Sequence, residues 1–235
     1  MKLACSAVVA LGMFSRACAT GGSSPLAYNE CANPDALLAK LVEPLDALRA
    51  KGCAASPDGR SECDRLRREI ERLALICGDH PGTLMASAVG AYEEHRPAKA
   101  QQYLDQLLAQ PGSHPDGAVL RARIAMEEGN VPYARRLLEQ QIRLAPNHAA
   151  LHETYGGVLY LARQFEAARA ELARAGTLGS PRWRVAYDLG LVEEAEGRLA
   201  LARQYYAEAL EGNPGWPPAQ SRLDALKTKD DARQQ

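Results

Sequence analysis

Small side chains that recur every 34 residues restrict the fold of this chain more than any other feature of its sequence. An alanine stands at this interval at Ala100, Ala134, Ala168 and Ala202. Twelve residues before each of them lies another small residue, at Ala88, Ala122, Gly156 and Gly190. Four residues after each alanine lies a bulky apolar residue, at Leu104, Leu138, Leu172 and Tyr206. A repeat of this length is typical of supersecondary units that stack on their neighbours.

Small residues at fixed positions indicate helices that pack closely. Helix axes about 8–10 Å apart leave no room for large side chains where the helices cross. The helix breakers agree with paired helices, because Pro97 and Pro132 can open second helices and Gly129-Asn130 can form a turn between them. Further prolines close the units at Pro111, Pro146, Pro181 and Pro214. We therefore predict an all-α chain whose stability comes from the stacking of neighbouring hairpins.

The pattern resembles the tetratricopeptide repeat (TPR), whose unit is a pair of antiparallel helices. The fourth unit is most similar to the family, with matching residues at Leu189, Gly190, Gly197, Ala202, Tyr206, Ala209 and Pro214. The resemblance covers residues 81–216 and implies a superhelical α-α solenoid of four repeats: 81–114, 115–148, 149–182 and 183–216. Residues 217–229 are expected to form a capping helix and residues 230–235 a disordered tail.

The first two units depart from the family pattern at four positions. Ser87 and Arg121 stand where a leucine is usual, and Leu107 and Gln141 stand where a third alanine is usual. The geometry of these two units is therefore less well defined by the sequence than that of the other two.

Four cysteines, Cys31, Cys53, Cys63 and Cys77, lie in a helical region that precedes the repeats, at residues 31–80. Leucines at helical spacing predict one helix over Pro34–Lys51 and a second over residues 62–76, with a turn at residues 57–59. The two ends of the first helix lie about 27 Å apart, whereas disulfide partners need Cα atoms within about 7 Å. Only the nested pairs Cys31–Cys77 and Cys53–Cys63 satisfy both limits in an antiparallel hairpin. The alternative, a metal or redox site, lacks a C-x-x-C motif or a zinc spacing.

The amino-terminal residues 1–19 have the composition of an export signal: Lys2, an apolar run over residues 3–14, and then small residues. One interpretation is a bacterial lipoprotein signal with lipid on Cys18, which would anchor the protein in the outer membrane facing the periplasm. A second is cleavage after Ala19, which would release a soluble periplasmic or secreted protein, and a third is an uncleaved segment. Residues 20–30 are expected to be a flexible linker in each case.

Composition and motifs give no indication of catalysis or of nucleic-acid binding. The net charge is −1, so the basic surface that nucleic acid requires is missing. The sequence has no phosphate-binding loop and no nucleophile elbow. His152 opens a stretch that begins like a zinc-protease helix, but a second histidine is missing at the required spacing. His80, His114 and His148 each end one unit and fit turns between hairpins. We predict no cofactor, no metal and no enzymatic activity.

The resemblance implies a concave groove lined by the first helix of each repeat. The positions that line it in the family hold apolar, tyrosine and acidic residues here: Met85, Val89, Tyr92 and Glu93; Val119, Arg123, Met126 and Glu127; Glu153, Tyr160 and Leu161; Tyr187, Leu191 and Glu194. Tyrosine and methionine suit adaptable protein contacts. The alternative is that several of these side chains only pack against the next repeat. Lysine and asparagine residues that hold a partner's carboxyl terminus in some family members are missing.

These observations predict a non-enzymatic scaffold of the bacterial cell envelope that binds a partner peptide or helix in the groove and assists the assembly of an envelope complex. Contact with the membrane is expected only through a lipid on Cys18. Two alternatives remain open at this stage: an envelope hydrolase that uses the solenoid as its scaffold, and a purely structural spacer.

Overall fold

The computed structural model describes residues 31–233 of the chain, with side-chain surroundings up to residue 227. The predicted signal at residues 1–19, the lipid site at Cys18 and the linker at residues 20–30 lie outside the described residues. The described part contains eleven α-helices and no strand. None of these helices is long and apolar enough to cross a membrane.

A helical hairpin opens the described part of the chain. Helix α1 (Pro34–Lys51) is capped by the side chain of Asn33, which accepts a hydrogen bond from a first-turn amide, and it runs on through Pro44. A short 3-10 turn (Cys53–Ala55) leads to α2 (Pro57–Ile76). The predicted turn at residues 57–59 is wrong, because Ser56 caps α2 and Pro57 forms its first turn. Serine as cap with proline directly after it is a strong helix start.

Two disulfides staple this hairpin as the sequence predicts. Cys31 and Cys77 join its base with Cα atoms 5.5 Å apart. Cys53 and Cys63 join its loop end with Cα atoms 6.0 Å apart. The nested prediction is confirmed, because the antiparallel packing of α1 on α2 brings each pair to the same end of the hairpin.

The rest of the chain forms helix pairs at the predicted interval, closed by a single helix. The pairs are α3 (Pro81–Glu93) with α4 (Pro97–Leu108), α5 (Pro115–Glu127) with α6 (Val131–Leu144), α7 (Ala149–Leu161) with α8 (Phe165–Thr177), and α9 (Arg182–Ala195) with α10 (Leu199–Gly212). Helix α11 (Pro217–Arg233) packs on α10 and continues past residue 229, where a disordered tail was expected. No proline or glycine follows Pro218 to interrupt it.

The recurring small residues lie where the two helices of a pair cross. Ala100, Ala134, Ala168 and Ala202 are all completely buried. A Cβ atom added to Gly156 would lie 2.8 Å from the Leu172 side chain, and one added to Gly190 would lie 2.5 Å from the Tyr206 ring. Real Cβ atoms do not approach other atoms so closely, so glycine is the residue that lets these helices meet.

The turn inside each helix pair also repeats, with a left-handed backbone at the same position of every unit. The φ angles are +56° at His95, +76° at Gly129, +57° at Arg163 and +79° at Gly197. Glycine adopts this conformation without strain, whereas histidine and arginine do not. The turn geometry is therefore kept even in the two units whose residue disfavours it.

Neighbouring residues accommodate the four departures from the family pattern. Leu107 is buried against Gly117 of the next repeat, where an added Cβ atom would lie 2.8 Å from the leucine side chain. The buried side chain of Gln141 accepts a hydrogen bond from the backbone N–H of His114 at 3.1 Å. The large residues at the third-alanine position thus pack against, or cap, an adjoining first helix.

The two polar residues at the leucine position are also partnered. The Arg121 guanidinium donates to the Asp105 carboxylate at 2.8 Å and lies 4.5 Å from the centre of the Tyr133 ring. Ser87 is buried, with its hydroxyl 3.5 Å from the backbone oxygen of Ile70 in α2. The first repeat therefore packs directly on the stapled hairpin.

Candidate partner-binding groove

A groove of about 450 Å³ crosses the first helices of the last three repeats. Its walls come from α5, α7 and α9, together with the segment that leads into α11. We call this the groove, and its lining residues are Arg123 and Met126; Glu153, Thr154 and Gly157; Trp183, Arg184, Tyr187 and Asp188; and Trp216. Pockets of this size are large enough to hold a small ligand or a few residues of a peptide.

One wall of the groove is aromatic. Trp216 packs edge to face against both Trp183 and Tyr187, with ring centres 4.8 Å and 4.6 Å apart. Tyr187 also lies against Tyr206 of α10, with ring centres 5.7 Å apart. The chain has two tryptophans in total, so both of its indoles line this groove. Packing of this kind holds the rings in fixed positions, which reduces the entropy lost when a partner binds.

The groove also carries charged groups, and two of them, Arg184 and Asp188, lie on α9 beside the aromatic residues Trp183 and Tyr187. The Arg184 guanidinium forms an ion pair with the Glu153 carboxylate, which is almost completely buried. Arg123 is exposed at the edge. Among the described residues, none donates a hydrogen bond to the Asp188 carboxylate, and none places a cationic nitrogen within 4.0 Å of it.

The surroundings of Asp188 favour its neutral form. Burial raises the pKa of the Asp188 carboxyl to about 7, and the nearby Glu153 carboxylate contributes to this rise. The positive charges of Arg184 and Arg123 act in the opposite direction but do not restore the ordinary value. Asp188 is thus a carboxyl group that the protein itself leaves poorly compensated.

The floor of the groove is open at Gly157. An added Cβ atom at this position would meet no other atom within 4 Å, although the adjoining Gly156 is packed tightly against α8. The two glycines therefore differ in role, since Gly156 permits helix packing and Gly157 leaves free volume in the groove.

Four of the predicted groove residues, Arg123, Met126, Glu153 and Tyr187, line this groove. Met85, Val89 and Tyr92 instead pack on the core between the first two repeats. The Tyr92 hydroxyl donates a hydrogen bond to Glu127 on α5, the first helix of the second repeat. Burial is the larger cause of the raised pKa of Tyr92, and the Glu127 carboxylate raises it further.

Three more of the predicted residues, Tyr160, Leu191 and Glu194, contact neighbouring helices. Tyr160 packs on the core of the third and fourth repeats, with its ring centre 6.3 Å from that of Phe165. Leu191 packs on the cluster that α11 closes. Glu194 accepts a hydrogen bond from the Tyr206 hydroxyl at 2.8 Å. A binding role for these residues stays a prediction, and their contacts give each of them a packing role as well.

Six lining residues were not selected from the sequence. In the family, the second, fifth, ninth, twelfth and thirteenth positions of each repeat line the groove. Arg184 and Gly157 occupy the second and ninth positions of their repeats, so applying this pattern to every unit would have found them. Trp183, Asp188 and Thr154 stand one position outside the pattern, at the first and sixth places of their units. Trp216 lies in a turn between hairpins, and no repeat position indicates that it folds over the groove.

The histidines that end successive repeats serve as helix starts and surface contacts. The His80 imidazole accepts a hydrogen bond from the Thr83 amide and lies 3.1 Å from Asp35. His148 lies 3.2 Å from Asp116.

The ring nitrogens of His152, inside the third repeat, face Glu171 at 2.6 Å and the backbone oxygen of Pro146 at 2.9 Å. In the described part of the chain, no three His, Cys, Asp or Glu side chains converge as a metal site would require.

The fold defined by these helix pairs is that of the TPR solenoid. Solved structures of TPR proteins share it. The chain is similar to TTC0263, a thermophilic TPR protein of Thermus thermophilus, with 20% identity and a TM-score of 0.62 over 84% of this chain and 99% of that one. It is also similar to residues 41 to the end of MamA from Desulfovibrio magneticus RS-1, with 18% identity and a TM-score of 0.52 over 64% of this chain and 85% of that one.

A second MamA structure matches with 17% identity and a TM-score of 0.54 over 77% of this chain and 92% of that one. No protein-family model matches the chain, and no curated protein matches it. The comparisons therefore establish the fold alone.

Proposed function

We propose that this protein is a non-enzymatic binding scaffold whose groove holds a peptide segment of a partner protein. The observation that carries the proposal is the groove itself, which combines three packed aromatic rings, a methionine and charged side chains on one surface. Aromatic residues, methionine and arginine are the residue types enriched at protein interfaces. A solenoid presents such a surface on rigid helices, so little order has to be created when a partner binds.

The cell envelope is the place we propose for this interaction. Support comes from the amino-terminal sequence, with Lys2, the apolar run at residues 3–14 and Cys18, and from two disulfides of the kind that persist in oxidising compartments. The intact mass of the protein, isolated from membranes and from the soluble envelope fraction, tests this part, because lipid on Cys18 is expected in the first and cleavage after Ala19 in the second. An unmodified chain that retains residues 1–19 would contradict it.

Hydrolysis is the second candidate, since the groove holds two carboxyl groups, Glu153 and Asp188, of the kind that acid–base catalysis uses. Binding is the better supported of the two. Glu153 is engaged by Arg184, and the groove is open to solvent, so that a reacting bond would not be shielded from bulk water.

Substitution of Gly157 tests the binding function with little risk to the fold. In Gly157→Phe the new ring would enter the groove, whereas Gly157→Ala adds only a Cβ atom that meets nothing. Wild-type protein and both variants would be used to recover partners from an envelope extract. We expect a specific partner to bind the wild type and Gly157→Ala and to be lost with Gly157→Phe.

A second pair of variants separates the groove from the rest of the surface. Tyr187→Ala removes part of the aromatic wall, whereas Tyr103→Ala removes a tyrosine of α4 that lies outside the groove. Loss of the partner only with the Tyr187 variant, with both variants folded by circular dichroism, supports the groove. Equal recovery by all of these proteins would indicate a structural spacer or another binding surface.

A further inference from the structure

We propose that the groove selects a partner segment by an arginine side chain, which contacts both the aromatic wall and the Asp188 carboxylate. This inference rests on the proposed binding function and adds the chemistry of the partner to it. It depends on three features of the groove: an acidic group without a partner, aromatic rings beside it, and local cations that are engaged elsewhere or exposed.

The groove holds two guanidinium groups and two carboxyl groups, and one of these carboxyl groups has no ion-pair partner among the described residues. Glu153 and Arg184 form an ion pair and largely neutralise each other. Arg123 is exposed at the groove edge, where solvent screens its charge. Asp188 lines the same groove and has no salt-bridge partner among the described residues, although its surroundings disfavour a negative charge. A positive side chain from a partner would supply the cationic contact to the Asp188 carboxylate that no described residue of the protein makes.

The aromatic wall favours a guanidinium over other cations. The groove is lined by Asp188 together with three aromatic residues, Trp183, Tyr187 and Trp216. A planar guanidinium can stack on an aromatic ring and still donate paired hydrogen bonds to a carboxylate. Such a group is also less strongly hydrated than an ammonium ion, so that less solvation is lost on entry.

An acidic side chain fits the same place poorly. Arg184 is held by Glu153, so an incoming carboxylate would have to break this pair or approach two carboxyl groups that already lie close together. Like charges in a partly buried site raise each other's pKa and weaken binding. The groove therefore discriminates by charge sign as well as by shape.

Binding of a cation should also change the protonation of the groove. Four groups face one another there: Asp188 and Arg184 on α9, Glu153 on α7 and Arg123 on α5. An inserted guanidinium favours the ionised form of Asp188, so binding releases a proton at pH values below the raised pKa. Affinity for an arginine side chain is then expected to fall as the pH is lowered from 8 to about 5, the range in which the free Asp188 carboxyl takes up its proton.

The two tryptophans provide a direct assay, because both line the groove. Short peptides with blocked ends would be titrated into the full-length protein. Binding would be monitored by tryptophan fluorescence and by the two indole N–H signals in NMR spectra. The peptides would be identical except for one central residue: arginine, the neutral isostere citrulline, or glutamate. We expect the arginine peptide to bind about tenfold more tightly than the citrulline peptide at pH 8, and the glutamate peptide to bind most weakly.

Two variants assign the effect to Asp188. Asp188→Asn should bind the arginine and citrulline peptides equally, whereas Asp224→Asn, on the exposed side of α11, should retain the preference. Equal binding of arginine and citrulline by the wild type would overturn the inference while leaving peptide binding intact. Tighter binding of glutamate, or indole signals that no peptide shifts, would overturn it as well. The recovery experiment with Gly157→Phe tests the underlying binding function separately.

Discussion

Replacement of Asp188 by asparagine should make the protein more stable at neutral and alkaline pH. The carboxyl group is partly buried and lies near the negative charge of Glu153, and its pKa rises from 3.8 to about 7 on folding. At 1.36 kcal/mol per pH unit, a rise of about 3 units corresponds to about 4 kcal/mol. Solvent reaches part of the groove, so we expect the measured effect to lie at about 2–4 kcal/mol.

The sign of the pH dependence follows from proton binding. Between pH 3.8 and about 7 the folded state keeps a proton on Asp188 that the unfolded chain has released, so stability falls as the pH rises through this range. Below this range the wild-type side chain is neutral in both states. Asp188→Asn, which is neutral at every pH, should therefore match the wild type near pH 4 and exceed it by the full amount at pH 8.

Urea unfolding followed by circular dichroism, with disulfides intact, measures this difference. Asp224→Asn is the matched control, because hydrogen bonds from Gln220 and Lys227 lower the pKa of this exposed carboxyl group. Its small effect should have the opposite sign, with the variant slightly less stable at high pH. A stability difference between Asp188→Asn and wild type that is the same at pH 4 and pH 8 would refute the reasoning.

Three further predictions test the packing of the repeats by the midpoint of urea or thermal unfolding. Gly156→Ala should lower the free energy of unfolding by about 1–3 kcal/mol, because the new Cβ atom would lie 2.8 Å from a leucine side chain. Gly157→Ala should raise it by about 0.5–1 kcal/mol. Similar values for the two variants would contradict the roles assigned to these glycines. Gln141→Ala restores the family residue but should lower the free energy of unfolding by about 1–3 kcal/mol, because the His114 amide loses its acceptor. A stabilised variant would show that this hydrogen bond is unimportant. His95→Gly, at a φ angle of +56°, should gain about 1 kcal/mol; no gain would mean that the left-handed turn costs little.

The sequence determined the architecture because its main contacts join residues at fixed, short separations. Ala168 and Gly156 belong to one hairpin, so the interval between them is enough to predict that their helices cross closely. The disulfide pairing followed in the same way, since an antiparallel hairpin can close only Cys31 with Cys77 and Cys53 with Cys63. The start of α2 was missed because Ser56 and Pro57 suit a turn as well as a helix start, and the cap bond decides between them.

Other features depended on contacts between units, which the repeat pattern does not encode. Leu107 is tolerated because Gly117 of the next repeat makes room for it. Gln141 is tolerated because a neighbouring helix start needs an acceptor. The room for Leu107 thus comes from the next repeat, whereas Gln141 on α6 satisfies the start of α5, the helix with which α6 pairs.

The groove shows the same division between what the sequence and the tertiary structure determine. Repeat positions found Tyr187 and Glu153, because the side of a helix on which a residue lies follows from its place in the unit. They did not find Asp188 or Trp216, because these residues reach the groove through the angle between successive hairpins and the path of the turn before α11. The sequence thus determined which helices pair, whereas only the tertiary structure decided which side chains meet between pairs, since small rotations at each stacking contact accumulate along the solenoid.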